Sequence, residues 1–468
     1  MRWHPLLVLG GALLVVGCAA VGPNYKLPEA AVVNAPAAQG VFLSGGVAVT
    51  SDAPPDHWWK LFDEPKLDEL IEKALAGNTD LRVAEANLQR SQALLAEVRS
   101  SHVSGLADAG TSYVQQSAEQ SLQHVQPPER PIYNVGVAVS YDLDLFGGIR
   151  RGIEAANADS ESVAAARDLV RVNVAAETAR AFSDICNTGN QLDVLRRIIA
   201  VQERSLVLTR SLIAHGRTPQ FEEARQQNVI DSSRAQLSPL EAQQRNAAFR
   251  LATLAGLPPA QYDRSLLECH TPLRLHTLLP TGDGQAMLKR RPDVRAAERR
   301  LAASTARIGV ATAELYPDIK FGATLGSTGA GADFLSPLTN RFGVGPTISW
   351  NLNRGAVRDR IQAAEAQSRA SLAIFDGVVL SALRETETSL DDYGAALDRL
   401  DQLQAALAEA QTVELRTEQL RRGGKVGGLV ELDAERTWVI AEAAVATQQM
   451  TINSDQISVF LALGGGWR

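Results

Sequence analysis

Past its N-terminal leader this 468-residue chain has no apolar run approaching the roughly 18 residues that a helical membrane span needs, so the body cannot cross a bilayer as helices. Charge of one sign is also scarce: the formal net charge is −7 and the balance only mildly acidic, which excludes the basic footprint of a nucleic-acid-binding protein. Aromatics make up 5% of the chain. The seven histidines form no HExxH, no GxSxG surrounds a serine, and there is no GxxxxGK[ST], so the signatures of zinc hydrolases, serine hydrolases and P-loop nucleotide sites are missing. GATLGSTG (322 to 329) reads as strand and turn rather than a phosphate loop, and Cys269-His270 is too little for a metal site. No enzyme, cofactor or metal is expected.

Cysteine is scarce as well, with three residues in all. MRWHPLLVLGGALLVVGCAA has the short positive start, apolar stretch and small-residue end of an export signal over residues 1–17. VVGC resembles the bacterial lipobox, although Val15 stands where Leu is usual. The resemblance implies that Cys18 is diacylated and becomes the mature N-terminus, with Ala19 favouring sorting to the outer membrane. That covalent lipid is the sole prosthetic group expected. Cys186 and Cys269 are then left; an oxidising periplasm permits a bond, but the spacing does not favour one, and two free or buried thiols are the expectation.

What the chain does contain is one unit written twice. NTDLRVAEANLQRSQALL (from Asn78) parallels RPDVRAAERRLAASTARI (from Arg291), and YNVGVAVSYDLDLFGGIRRGIEAANA (from Tyr133) parallels RFGVGPTISWNLNRGAVRDRIQAAEA (from Arg341). SLIAHGRTPQFEEARQQ (from Ser211) parallels QLRRGGKVGGLVELDAE (from Gln419), and LATLAGL parallels VFLALGG. Such self-similarity marks a duplicated structural unit. The repeats are assigned to 66–256 and 285–468, after an N-terminal segment at 18–65 and around an irregular Pro- and Gly-bearing linker at 257–284. Leu81, Ala84, Leu88, Ser91, Leu95 and Val98 advance by three and four, as do Leu192, Leu195, Ile199, Gln202, Leu206, Thr209 and Ile213, a heptad-like seam. From about Arg150 to Ala214 no proline interrupts, which predicts a helix on the order of 100 Å long, either continuous or broken at CNTGN around Gly189. HGRTPQ and RGGKVGG read as tight hairpins between antiparallel helices.

Each repeat also carries a strand pair, at 105–115 and 132–145 and at 318–327 and 341–352. Tyr133, Val135, Val137, Val139, Tyr141, Leu143 and Leu145 alternate with Asn134, Gly136, Ala138, Ser140, Asp142 and Asp144. Phe342, Val344, Pro346, Ile348, Trp350 and Leu352 alternate likewise, and Ile319, Phe321, Ala323 and Leu325 make a third apolar face. About ten residues with aromatics near the ends suit a strand that spans a bilayer. Lipid leaves no strand edge unpaired, so four strands per chain must close with those of other copies. A wet lumen on the small polar face would then see Asp142 and Asp144, which favours cations.

HWWKLFDEPKLDELIEKALAGNTDLRVAEANL (57 to 88), DLFGGIRR (144 to 151), KRRPDVRAAERRLAASTARIGVATAELYPDI (289 to 319), VELDAERT (430 to 437) and LALGGGW (461 to 467) resemble the NodT-type outer-membrane efflux proteins, lipid-anchored relatives of the TolC channel. The resemblance runs over essentially the whole mature chain. It implies a mainly α fold with membrane β: a homotrimer whose barrel, four strands per chain, continues into a long α-helical barrel. It implies an outer-membrane exit duct for small molecules, drugs or metals, working with a periplasmic adaptor and an inner-membrane RND-type transporter, and no nucleic acid. The channel of a type I protein secretion system shares the fold and stays open as an alternative. It further implies a periplasmic gate in RRGGKVGGLVELDAE, where Leu432, Asp433 and Ala434 match an LDA-like motif and Asp433 points at the threefold axis. Leu429 and Glu431 lie beside it, and Arg421, Arg422 and Lys425 are available as cross-subunit partners. The family's hairpin tyrosine is Arg421 here and a second aspartate is Val430, so a tyrosine latch is not expected.

Overall fold

The computed structural model describes residues 20–44, 48–114, 122 and 130–465; Cys18, and with it the lipid expectation, lies outside them. The first repeat folds as α1 (Pro65–Gly77), α2 (Thr79–Ser100), β1 (Val103–Val114), β2 (Arg130–Asp142), α3 (Gly148–Ala214), α4 (Phe221–Arg234) and α5 (Leu237–Leu254). The second follows as α6 (Gly284–Arg290), α7 (Pro292–Ala313), β3 (Asp318–Ala330), β4 (Asn340–Ser349), α8 (Arg354–Arg422) and α9 (Gly428–Ala462). The element order is the same twice, with one difference. The returning helix is whole in the second repeat but split into α4 and α5 in the first, beside Pro239, whose ring and missing N–H interrupt the helical hydrogen bonding.

Two compact units arise, and they are not the two repeats, since each draws on both. One unit, formed by residues up to Pro28, Leu88–Val163 and Ala297–Phe375, contains a single antiparallel sheet in the order β1-β2-β3-β4. Small residues let its helices approach closely, with Ala158, Ala302 and Ala303 buried together against Tyr25.

The other unit, Glu29–Asn87, Ala164–Ala296 and Asp376–Arg468, is helical apart from a short parallel pairing of Val49–Thr50 with Leu279–Pro280. The HWWKLF motif buries here: Trp58 stacks on Phe460 with centroids 4.8 Å apart, and Trp59 and Phe62 pack edge-on to Trp58. A buried polar seam accompanies this core, Asn453 donating to Asn187 at 3.1 Å and Asn187 to Ser183 at 3.0 Å.

α3 is continuous for 67 residues, so Gly189 does not break it. Gly189 serves a close approach instead: a Cβ there would lie 2.2 Å from the carbonyl oxygen of Cys269 in the linker. That approach places Cys269 over Cys186, one turn earlier on the same helix face, and the two form a disulfide. The expectation of two free thiols is therefore corrected. Spacing across 83 residues carries no trace of the pairing, because the missing side chain at a third position is what brings the linker in. Nearby, His270 Nδ1 lies 2.6 Å from Asp193, so Cys269 and His270 each have a structural partner.

The repeats agree down to single hydrogen bonds. Asn78 donates its side-chain amide to the carbonyl of Leu254 at 3.0 Å, and its repeat counterpart Arg291 donates to the carbonyl of Ala462 at 2.8 Å. In both cases a polar side chain opening one helix satisfies an orphan carbonyl at the end of another, and a left-handed glycine follows, Gly256 (φ +74°) or Gly464 (φ +71°).

One acidic side chain works against this unit at neutral pH. Burial first, and the nearby Asp392 second, push the Asp455 carboxyl up to about 6. The folded state thus holds a proton that the unfolded chain releases at lower pH, so stability falls as pH rises from about 4 to about 6 and is level above that. Asp455→Asn should raise the unfolding temperature most at about pH 8, by roughly half as much at about pH 5, and little below about pH 4. Thermal melts at the three pH values check this.

Candidate functional site

The sheet's register puts one chemistry on each face. Paired residues share a face in a β-ladder, and Tyr141, Val139 and Val137 pair with Phe321, Ala323 and Leu325, which pair in turn with Pro346, Val344 and Phe342. Val137, Val139, Tyr141, Phe321, Leu325, Phe342, Val344 and Ile348 are all largely exposed on that face. On the other side Asn134, Gly136, Ala138 and Ser140 align with Thr328, Gly326, Thr324 and Gly322. Asn134 donates to Asp108 at 2.7 Å, and Thr328 donates to Asn134 at 2.8 Å. Leu106 is an exception, an exposed apolar side chain paired with Ala138 on the polar side. β1 and β4 are the sheet's outer strands, each paired on one side within the chain.

The two aspartates expected on the polar face have different fates. Asp142 ends β2 and is bridged by Lys320 at 3.2 Å, which also holds Asp318 at 3.2 Å, so one ammonium is shared by two carboxylates. Asp144 lies beyond the strand, and its carboxylate accepts from the backbone N–H groups of Ile149 and Arg150 at 3.0 and 2.9 Å. It caps α3, where the helix dipole favours an anion, and it binds the Arg150 side chain. Asp144 is thus corrected from a lumen charge to a helix cap. A strand period extended two residues too far misplaced it.

The rest of DLFGGIRR is accounted for at the same junction. Phe146 stacks on Tyr316 at 4.5 Å, and Gly147, at φ +82°, leaves room for Ala20, which a Cβ would meet at 2.4 Å. Buried Arg151 donates to the carbonyls of Val21 and Gly22 and to Asn24 at 3.0, 3.2 and 2.7 Å. The N-terminal segment is thereby fixed where the strands give way to helices. Trp350 donates its indole N–H to the Leu315 carbonyl at 3.1 Å, under the Arg354 guanidinium.

At the far ends of α3 and α8 the two hairpins repeat each other. Gly216 and Gly424 are both left-handed, and Arg217 N–H bonds to Leu212 O as Lys425 N–H does to Leu420 O, each at 2.9 Å. In the second hairpin Arg421 pairs with Glu431 across the turn, and Arg422 with Glu418 one turn back. Each arginine thus has a carboxylate partner within its own chain and stays substantially exposed. Leu429 and Val430 are exposed beside them. Asp433 lies in the second turn of α9, past the capping positions, with its side chain exposed and accepting from Arg436 at 2.6 Å. Glu414 sits among Glu418, Glu435 and Glu431; burial first and those carboxylates second raise its pKa.

Among the described residues no helix is long and apolar enough to cross a membrane, and no cluster of three metal-ligating side chains is present. A two-faced sheet with two open edges, joined to helices of 67 and 69 residues, suits a conduit rather than a catalytic cleft.

Comparisons with known proteins agree. The model of the outer membrane efflux protein family matches residues 70–257 and 284–465, the two repeats. Pyoverdine export outer membrane protein OpmQ of Pseudomonas putida is 29% identical over 431 residues, 89% of each chain. Nodulation protein T of Rhizobium leguminosarum bv. trifolii is 25% identical over 97% of this chain and 96% of its own. The solved outer-membrane channel OprN superposes with a TM-score of 0.85 at 32% identity, covering 96% of this chain and 100% of that one. The chain belongs to the outer membrane efflux proteins, the TolC-like, non-enzymatic exit ducts that form the outer-membrane component of tripartite efflux pumps.

Proposed function

We propose that the duct is a homotrimer in which β4 of one copy pairs with β1 of the next, closing a barrel of three four-stranded sheets. The observation that carries this is the single sheet with an exposed apolar face and two outer strands of 12 and 10 residues. In hydrocarbon every bare N–H or C=O costs several kcal/mol, so the edges must pair. Four strands fall short of the roughly eight of the smallest membrane barrels. A periplasmic adaptor and an RND-type inner-membrane transporter supply the coupling and the energy, and the cargo is small molecules. A lipid on Cys18 is supported by the pinning of Ala20 and Val21 at the strand-to-helix junction, since two residues reach only about 7 Å from there.

Asp433 forms the periplasmic constriction in this reading. It is neither cap nor core, and three like carboxylates about one axis would bind a multivalent cation. With Asp142 sharing Lys320 with Asp318 and Asp144 capping a helix, cation preference rests chiefly on this ring. The test is single-channel recording of the purified protein in planar bilayers with hexamminecobalt added from the periplasmic side. The parent should be blocked, and Asp433→Ala should conduct unblocked, with three copies per particle by native mass spectrometry for both. Equal block of the two proteins would remove Asp433 from the gate, and a monomer or dimer would overturn the barrel.

A further inference from the structure

At the end of the sheet remote from the helices, the chain between β3 and β4 folds back over the apolar face instead of continuing away from it. Tyr133 and Ser327 belong to that face by register, Tyr133 pairing with Gly329 and Ser327 with Val135. Their hydroxyls would end an apolar surface in two polar groups. Both are covered: Ser327 is 1% exposed and Tyr133 8%. The Tyr133 hydroxyl lies 2.8 Å from Ser327 Oγ and 3.0 Å from the Asp333 carbonyl, and it accepts the Leu335 N–H at 3.0 Å. Thr339 closes the knot, 2.9 Å from Ser327 Oγ and donating to the Ser336 carbonyl at 2.8 Å. Leu335 adopts φ +58°, a conformation that a branched side chain reaches only under constraint, and Phe334 packs on the Tyr133 ring at 4.9 Å.

The outward surface of this loop is apolar. Phe334 is 60% exposed, Leu335 56% and Leu338 97%. Facing water, three large apolar side chains on one short loop would be a liability with no return. The band they adjoin is short. From the Ile319–Ile348 pair to the Leu325–Phe342 pair is about 20 Å along the strands, or about 15 Å of height at the usual tilt. One further row at Trp350 adds about 5 Å, still below the apolar band of about 25 Å that a membrane barrel presents.

We infer that residues 331–339 are a lipid-facing flap, which hides the polar end of the sheet and presents Phe334, Leu335 and Leu338 to the acyl chains of the outer leaflet. The inference rests on the barrel reading above and extends the membrane surface beyond the strands. It also keeps this loop off the mouth of the duct, because its hydrogen bonds are made on the lipid side of the sheet.

The test uses the full-length protein in lipid nanodiscs, with NBD attached to a cysteine at one site per variant: Leu338→Cys on the flap, Val344→Cys on the apolar strand face and Thr324→Cys on the polar face. Each is exposed to lipids spin-labelled near the headgroup end of the acyl chain and, separately, to aqueous iodide. Leu338→Cys should lose most of its emission to the spin-labelled lipid and little to iodide, as Val344→Cys should, while Thr324→Cys responds to iodide. Quenching of Leu338→Cys by iodide, or by neither agent, would overturn the flap when Val344→Cys still reports lipid. A Val344→Cys probe that lipid does not quench would overturn the barrel reading itself.

Discussion

Arg291→Ala is expected to be the most damaging single substitution in the helical unit, costing on the order of 3 kcal/mol, because charge-assisted hydrogen bonds and the partner of a helix-end carbonyl are lost while the two carboxylates stay partly solvated. Arg291 is 7% exposed and uses its whole fork. Nε and Nη2 bind the Asp293 carboxylate at 3.0 and 2.6 Å, Nη2 also reaches Glu385 at 2.8 Å, and Nη1 donates to the Ala462 carbonyl at 2.8 Å. Burial works against the charged guanidinium, but the bonds from Asp293 and Glu385 outweigh it and hold its pKa above the ordinary value. Without the side chain, Asp293 and Glu385 lose their countercharge and the α9 terminus loses the donor that ties it to α7. Arg291→Lys should recover only part of the loss, because one ammonium cannot span two carboxylates and a carbonyl in the same geometry. Asn78→Ala, at the equivalent place in the first repeat, should cost less, about 1–3 kcal/mol, since only neutral hydrogen bonds are broken. An outer-membrane channel unfolds irreversibly, so the measurement is the half-life of helical circular dichroism at fixed high temperature, with exposed Arg300→Ala as control. Equal half-lives for Arg291→Ala and Arg300→Ala would refute the role.

That pairing of Asn78 with Arg291 shows what could be read in advance and what could not. The repeat, its element order, the long helices and the two faces of the sheet are periodic signals, and a period survives in the sequence because many positions repeat it. Leu81, Leu88 and Leu95 are buried as a seven-residue spacing requires, and Val137 and Val139 are exposed on the face that alternation assigns. Features set by one residue meeting a distant one were not legible. Arg421 and Arg422 gave no sign that Glu431 and Glu418 would occupy them within the chain, because charge identity carries no partner. Asp144 shares the parity of the polar face, and only the start of α3 at Gly148 shows that its carboxylate serves a helix. Gly189 read as a weak point in a long helix that could be continuous or broken there, whereas its absent Cβ admits the linker. Tyr133 keeps the strand's parity and yet is buried, since the flap that covers it is built from residues about 200 positions later.

Loss of the Cys186–Cys269 disulfide should produce the second large effect, of a different physical kind. The bond closes a loop of 83 residues that contains the C-terminal part of α3, α4, α5 and the first part of the linker, for which the chain-entropy relation gives about 4.5 kcal/mol at 25 °C. Cys186 is fully buried, so Cys186→Ala with Cys269→Ser avoids placing a hydroxyl in the core. The double variant should keep the parent's far-ultraviolet spectrum, because the entropic contribution acts on the unfolded chain more than on the folded one. It should nevertheless unfold at a clearly lower temperature, and the linker should become susceptible to limited proteolysis. Gln244, which donates to the carbonyls of Ile185 and Leu267, and His270, held to Asp193, keep part of the linker docked, so cleavage should fall between the staples rather than along the whole segment. Reductant should shift the parent's melting temperature to that of the double variant and leave the variant unchanged. Gly189→Ala makes an independent probe, because its Cβ would press on the Cys269 carbonyl and push the two sulfurs apart, so this variant should react with maleimide after denaturation without reductant. Parent protein from the outer membrane that takes up two maleimides under those same conditions would show that the thiols are free and that the linker is held by its hydrogen bonds alone.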